Sequence, residues 1–348
     1  LLTAGSQYFF MKKHTIRRIL ILQTASIGDV VLATPLIEKL AEFYPESEID
    51  FLVKQGLQQV LTGHPLLHEV LVWDKSADKY KHLRKLLKHI RSRRYDVVVN
   101  VQRFAASGFL TAFSGAALRL GFSKNPFSLF YSRRLPHHIS SDPAKSQHET
   151  HRNLSLISSI TDDNLHYLPK LYPSQADYAK VSQYKTQKYI CIAPASLWFT
   201  KQFPAEKWIE FLKVIKEQVA VYFLGGPDDA QLCHSIIDKS GYTLSLNLAG
   251  KLSILQTAAL MKDAAMNFVN DSAPLHFASA MNAPVTAIFC STVPAFGFGP
   301  LSQDAAIIET DIALSCRPCG LHGYQRCPEG HFKCALTIPV VKLLRRIP

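Results

Sequence analysis

Residues 19–23, Ile19-Leu20-Ile21-Leu22-Gln23, are a short apolar run, and Thr24-Ala25-Ser26-Ile27-Gly28-Asp29 follows before a helical stretch reaching Phe43. A run of that length, closed by a turn, suits a strand buried on both faces, as in a parallel sheet. The pattern continues outward. Ile49–Val53, Glu69–Trp73 and Tyr95–Val101 read as further strands, with a basic helix, Lys79–Arg94, between the last two. The second half follows the same plan. Strands are expected at Tyr189–Ala193, Ala220–Leu224, Asn267–Val269 and Pro284–Phe289, and helices at Ala205–Gln218, Ile254–Lys262 and Pro274–Met281. Two halves of alternating strand and helix predict an α/β protein with two parallel-sheet domains. The join is expected near Pro169–Gln187, giving domains 11–175 and 176–348. Ligands of such sheets bind beyond the carboxyl ends of the strands, here in a cleft between the domains.

Composition narrows the class. The 348 residues are 47% hydrophobic and 19% charged, which excludes a disordered tail or a fibrous repeat. No run of 18 apolar residues occurs, so no membrane-spanning helix is expected. Leu1–Phe10 has no basic region ahead of its apolar residues and no small-residue cleavage site. Met11-Lys12-Lys13 reads as the more natural start, with the first ten residues extraneous to the fold and a cytoplasmic location. The formal charge of +12 is uneven. Residues 1–175 hold 23 Lys/Arg against 14 Asp/Glu, which suggests an anionic partner on that half.

Three strand-to-helix junctions carry candidate chemistry. In the first, Gly28 allows close backbone approach to a ligand, and Asp29 at the helix start suits a general base. Ser26 and Asp29 equally suit a helix cap. In the second, Ala195–Pro204, Ser196 and Thr200 supply hydroxyls and Lys201 a point charge for a phosphate. The third, Asn270-Asp271-Ser272-Ala273-Pro274-Leu275-His276, opens a helix whose free amides at Ser272–Leu275 suit a diphosphate. Asp271 is placed to accept from a sugar hydroxyl or from His276; capping and a core histidine are the plainer alternatives. A G-x-G-x-x-G fingerprint is absent, which disfavours a dehydrogenase.

These segments, in this order, resemble glycosyltransferase family 9, the ADP-heptose:lipopolysaccharide heptosyltransferases. The likeness runs through ILQTASIGDVVLATPLIEKL, YDVVVNVQR, RLGF at Arg119–Phe122, APASLWFTKQFPAEKW, FLGGPDD and NDSAPLHFASAMNAPVTAIF to the cysteine-rich tail. The resemblance implies a GT-B fold, two Rossmann-like domains facing a central cleft, with acceptor on the N-terminal domain and nucleotide-sugar donor on the C-terminal one. It implies inverting transfer of a heptose or related sugar, with an ADP-sugar favoured, onto a hydroxyl of an anionic, lipid-linked envelope glycan. Asp29 falls on the family's proposed base and Lys201 on its phosphate-binding lysine. Asp271, Ser272, Ala273 and His276 fall on its Asp-Thr-Gly-x-x-His segment, with Ala273-Pro274 replacing glycine and an apolar residue. The donor set is completed by Ser196, Thr200, Gly226 and Asp228, though the ribose-reading acid is matched only loosely, by Asp228 or Asp229. Gly28, Gln102 and Arg103 are the acceptor-side residues. With no D-x-D motif, transfer without a catalytic metal is expected. Transfer to protein, or nucleotide-sugar binding without catalysis, are the alternatives.

Two features lie outside that set. Lys79–Arg94 carries eight Lys/Arg and no acid, with Leu83, Leu86, Leu87 and Ile90 on one face. It reads as a solvated outer helix, or as one whose basic face meets an anionic membrane. Nucleic acid is not expected, because no aromatic interleaving accompanies the charge. In the tail (316–334), Cys316, Cys319, Cys327 and Cys334 have the opening spacing of a knuckle that holds zinc or iron. Such a metal would be structural and remote from catalysis; the alternative is reduced, packed cysteines.

Overall fold

The computed structural model describes residues 16–75, 78–215 and 219–347. The leader and Met11 therefore lie outside the described residues, as do positions 216–218 at the end of the expected Ala205–Gln218 helix. Two six-stranded parallel sheets form. The first contains β1 (Arg18–Leu22), β2 (Glu48–Lys54), β3 (Glu69–Trp73), β4 (Val97–Asn100), β5 (Leu118–Phe122) and β6 (Arg133–Leu135), in the order β3-β2-β1-β4-β5-β6. The second contains β7 (Tyr189–Ala193), β8 (Ala220–Phe223), β9 (Ser245–Asn247), β10 (Met266–Asn270), β11 (Val285–Ile288) and β12 (Ala305–Ile308), in the order β12-β11-β10-β7-β8-β9. Each order reverses between its first and fourth strands, which opens a crevice at their carboxyl ends.

The central strands are legible from the chain, as are β2, β8, β11 and the edge strand β3. Ile19 to Leu22 and all of β4, β7 and β10 are buried, because helices cover both faces. Strand β5 was not anticipated, its short run being broken by Arg119 and Gly121, and nor were strands β6, β9 and β12. The side chains of these last three are mostly exposed or half-buried, so they show no apolar run, and pairing with β5, β8 and β11 makes them strands.

Helix α1 (Ile27–Phe43) follows β1 and contains Pro35 in its interior. Proline has no amide to give to the Val31 carbonyl, and the Thr34 hydroxyl donates to that carbonyl instead, at 2.8 Å. Helix α2 (Lys79–Arg93) and α3 (Ala105–Ala112) cover one face of the first sheet, and α1 covers the other. Helix α4 (Glu149–Ser155) packs on α1, and α5 (Gln175–Val181) crosses to α8 (Ile254–Lys262) of the second half. Helices α6 (Ala205–Ile215), α7 (Ala230–Ser240) and α9 (Ala273–Ala280) complete the second unit. Among the described residues no helix is long and apolar enough to cross a membrane.

The halves meet tightly. α1 packs against α9, and a Cβ on Gly28 would stand 2.8 Å from Cδ2 of His276. Arg152 of α4 adds a second tie. It donates to the Phe296 carbonyl at 2.8 Å and to Glu149 at 2.7 Å. The Glu149 amide also donates to the Gly297 carbonyl, at 2.8 Å.

Candidate active site

The amino ends of α1 and α9 face one another where the halves meet. At α1, Asp29 closes a capping box. Ser26 donates its hydroxyl and its amide to Asp29 Oδ2 at 2.6 and 3.1 Å, and the Asp29 amide returns a bond to Ser26 Oγ at 3.3 Å. The cap and base readings are thus compatible, since Oδ1 takes no hydrogen bond among the described residues. Burial raises the Asp29 pKa above its usual 3.8, and the charge of Glu149 pushes the same way. Ser26 and the His322 charge oppose that shift. A carboxylate so placed is a stronger base than a free aspartate.

At α9 the arrangement suits an anion. Ser272 occupies the N-cap position but does not cap. Its hydroxyl makes one long contact, 3.4 Å to the Asn270 carbonyl. Pro274 has no amide hydrogen and Leu275 donates to Ser272 O at 3.0 Å, so the anion-facing set narrows from Ser272–Leu275 to the amides of Ser272 and Ala273. Lys201 Nζ lies 2.7 Å from Asp271 Oδ2, which also accepts from Thr292 at 2.6 Å. His276 is buried beneath, its pKa lowered to about 3 by burial, so its ring is neutral.

Other anticipated residues land differently. Thr200 is fully buried: its hydroxyl accepts from the Tyr324 amide at 2.8 Å and from Ser291 at 3.0 Å, which fixes the loop rather than offering a ligand contact. The Ser196 side chain is half-buried nearby, and its carbonyl accepts from Gln202 at 2.7 Å. Gly226 donates its amide to Asp229 at 2.8 Å, so Asp229 is committed to that turn and Asp228 is the exposed member of the pair. Gly28 makes its close approach to His276 rather than to open cleft. Gln102 is buried, with its amide group 2.8 Å from Thr24 Oγ1 and 2.9 Å from Gln23 Oε1. It braces β1 against β4 and also lines the pocket at their carboxyl ends. Arg103, half-buried beside it, makes no ion pair among the described residues.

The tail is also corrected. Gly323 sits at φ +77, where a Cβ would stand 2.8 Å from Thr200 Oγ1 and 3.0 Å from Lys201 Cγ. The tail loop therefore lies on Lys201, not remote from it. The four cysteines gather at one place, where the charges of Cys316, Cys319 and Cys327 all act on Cys334, but among the described residues no three of their sulfurs lie within 4.8 Å of one another. Cys319 Sγ donates to the Cys316 carbonyl at 3.0 Å, Cys327 Sγ accepts from the Phe332 amide at 3.4 Å, and Cys334 is buried in the core. Among the described residues, only Asp50, His68 and Glu69 bring metal-capable atoms within 4.8 Å of one another. Asp50 there is already paired with Arg93 and Tyr95. The thiols are thus grouped, as the spacing suggested, without being drawn to the separation of a closed metal shell.

Glu149 and His322 were missed in the sequence. Glu149 lies far from Asp29 in the chain, and only its acidic type at a helix start marked it. The charges that act on Asp29 come from a helix and a tail that no motif linked to it.

The family comparison bears on this geometry. The model of glycosyltransferase family 9 (heptosyltransferase) matches residues 83–323. The chain belongs to glycosyltransferase family 9. A curated relative, lipopolysaccharide heptosyltransferase 3 of Escherichia coli, is 26% identical over 282 residues, covering 76% of this chain and 81% of the relative. The family 9 glycosyl transferase from Veillonella parvula superposes with a TM-score of 0.78 at 20% identity, covering 95% of each chain. E. coli ADP-heptose lipopolysaccharide heptosyltransferase II gives 0.75 at 20% identity, covering 95% of this chain and 97% of that one. The two facing sheets are the GT-B fold of this family.

Proposed function

We propose that this family 9 glycosyltransferase moves a heptose from ADP-heptose to a hydroxyl of a lipopolysaccharide-core acceptor, with inversion and without a catalytic metal. The observation that carries the reading is the pairing of the amino ends of α1 and α9, one bearing Asp29 and the other two free amides beside Lys201. Asp29 takes the proton of the acceptor hydroxyl. That oxygen bonds to the anomeric carbon as the bond to the diphosphate breaks on the opposite face. Lys201 and the amides of Ser272 and Ala273 meet the charge of the departing ADP, the role a metal plays elsewhere. Asp228 and Ser196 are the further donor-side candidates, and Arg103 the acceptor-side cation. The relative named for ADP-heptose supports the donor, and the relatives named for lipopolysaccharide support an anionic, lipid-linked acceptor. On this reading the chain works in the cytoplasm, at the membrane face that carries its acceptor.

The test is transfer from ADP-heptose to heptose-deficient lipopolysaccharide core, read as one added heptose by mass spectrometry, with and without EDTA. Equal rates are expected. Loss with EDTA that magnesium restores would overturn the metal-free step, and transfer to protein alone would replace the acceptor.

Lys201→Ala is expected to weaken ADP binding by about 1–3 kcal/mol, the range for losing one charge-assisted contact. Titration calorimetry measures it, and an unchanged Kd would place the diphosphate elsewhere.

A further inference from the structure

Helix α3 and the loop between β5 and β6 carry an exposed aromatic cluster that the cleft does not use. Phe109, Phe113, Phe127 and Phe130 form a chain of ring contacts with centroids 5.0 to 6.4 Å apart. Leu129 is 78% exposed at its tip, Phe104 63% and Phe130 55%. Isolated exposed apolar side chains are ordinary, but a contiguous aromatic group facing solvent marks an interaction surface.

The cluster is held in place. Buried Asn125 donates to the Phe104 and Gln102 carbonyls at 3.0 and 3.1 Å and accepts from the Phe127 amide at 2.9 Å. Gly108 makes room for it, since a Cβ there would stand 1.9 Å from Asn125 Oδ1. The loop is thus stapled to α3 with its apolar tip outward, an arrangement that does not serve the core.

Charge selects the partner. No acidic residue occurs between Asp96 and Asp142, while Arg103, Arg119, Lys124, Arg133 and Arg134 lie in that interval. Helix α2 packs beside α3 on the same face of the sheet and exposes Lys81, Arg84, Lys85, Lys88 and Arg91. Asp96, the one acid from Lys79 to Ser141, turns inward to the amides of Arg17 and Arg18 at 2.8 and 3.0 Å. An apolar tip amid cations, with Asp78 at the start of α2 as an exposed acid among them, fits the interface of an anionic bilayer, where rings enter the headgroup boundary and basic side chains meet lipid charge. A face with so few acids offers little to a basic partner, and the cations oppose pairing with a second copy.

We infer that the Phe104–Phe130 cluster inserts into the surface of an anionic membrane, with α2 as its electrostatic flank. Phe104 also lines a pocket of about 320 Å³ at the carboxyl ends of β1, β3 and β4. The seat therefore adjoins the acceptor half of the cleft. Docking requires no sugar transfer, so its test is independent of the proposed reaction.

The experiment is co-sedimentation of the full chain with vesicles of phosphatidylcholine and phosphatidylglycerol at 3:1, or of phosphatidylcholine alone, without donor or acceptor. Binding is expected only to the anionic vesicles, and partly to persist at 0.5 M salt. Leu129→Ser with Phe130→Ser should lower partition at least about tenfold at every salt concentration. Lys81→Glu with Lys85→Glu and Lys88→Glu should remove mainly the salt-sensitive part. Phe130→Trp should shift its emission to the blue on vesicle addition. Unchanged melting temperatures would show that the variants fold. Absence of sedimentation at low salt overturns the proposal. So does a parent dimer that the Leu129/Phe130 variant converts to monomer, because the cluster would then be a self-interface.

Discussion

Asp29→Asn is expected to lower turnover by about a hundred- to ten-thousand-fold, the contribution of a general base, while ADP affinity stays nearly unchanged. The amide keeps the shape and still accepts from Ser26 but cannot take a proton. In the parent, kcat/KM should fall on the acid side with a midpoint above the ordinary aspartate value of 3.8, since burial raises this carboxyl. His276 does not supply that limb, because burial holds its ring neutral with a pKa of about 3. The sign for stability is opposite to that for activity. A carboxyl whose folded pKa is raised stabilises the fold below its unfolded pKa and loses that stabilisation as pH rises through the folded value. At neutral pH the charge is therefore a cost, and Asp29→Asn should not lower the melting temperature. Near-normal turnover in the variant would remove Asp29 from the role of base. A steep loss of stability would assign it to the cap alone.

Arg152→Met should destabilise the protein by about 3–5 kcal/mol, the cost of removing one partner from a buried ion pair. Arg152 is 2% exposed and ties α4 to the 296–297 turn of the other half. Burial pushes the Glu149 carboxyl up, but His137 and Arg152 outweigh it and hold the pKa below 4.5. The stabilisation from that pairing is present above about pH 4.5 and is lost as pH falls through the lower folded value. Without Arg152, the Glu149 charge is left in a buried site with His137 alone. Urea unfolding at pH 7 measures the loss, and a change under about 1 kcal/mol would show that water replaces the guanidinium. Because the Glu149 charge acts on Asp29, the acid limb of the surviving activity should also move.

The amino-acid sequence by itself determined the alternation of buried strands and helices, since apolar runs such as Ile19–Leu22 and Val97–Val99 have one stable environment, a sheet covered on both sides. It also marked the three junctions, because a turn after such a strand needs small, capping and charged residues at set places. Tertiary structure decided the rest. Strands β6, β9 and β12 exist through pairing with a neighbour, which leaves no trace in their own pattern. Thr200 and Gln102 read as ligand contacts in the chain, yet buried hydrogen bonds occupy them, and a motif cannot show what a hydroxyl or amide will meet. The cysteine spacing suggested a metal placed away from the cleft, but the fold gathers the four thiols against the second core and lays the tail loop on Lys201. The pKa of Asp29 depends on Glu149 and His322, far away in sequence. Chain order encodes local geometry, whereas burial and charge at a cleft are set by whichever distant segments pack there.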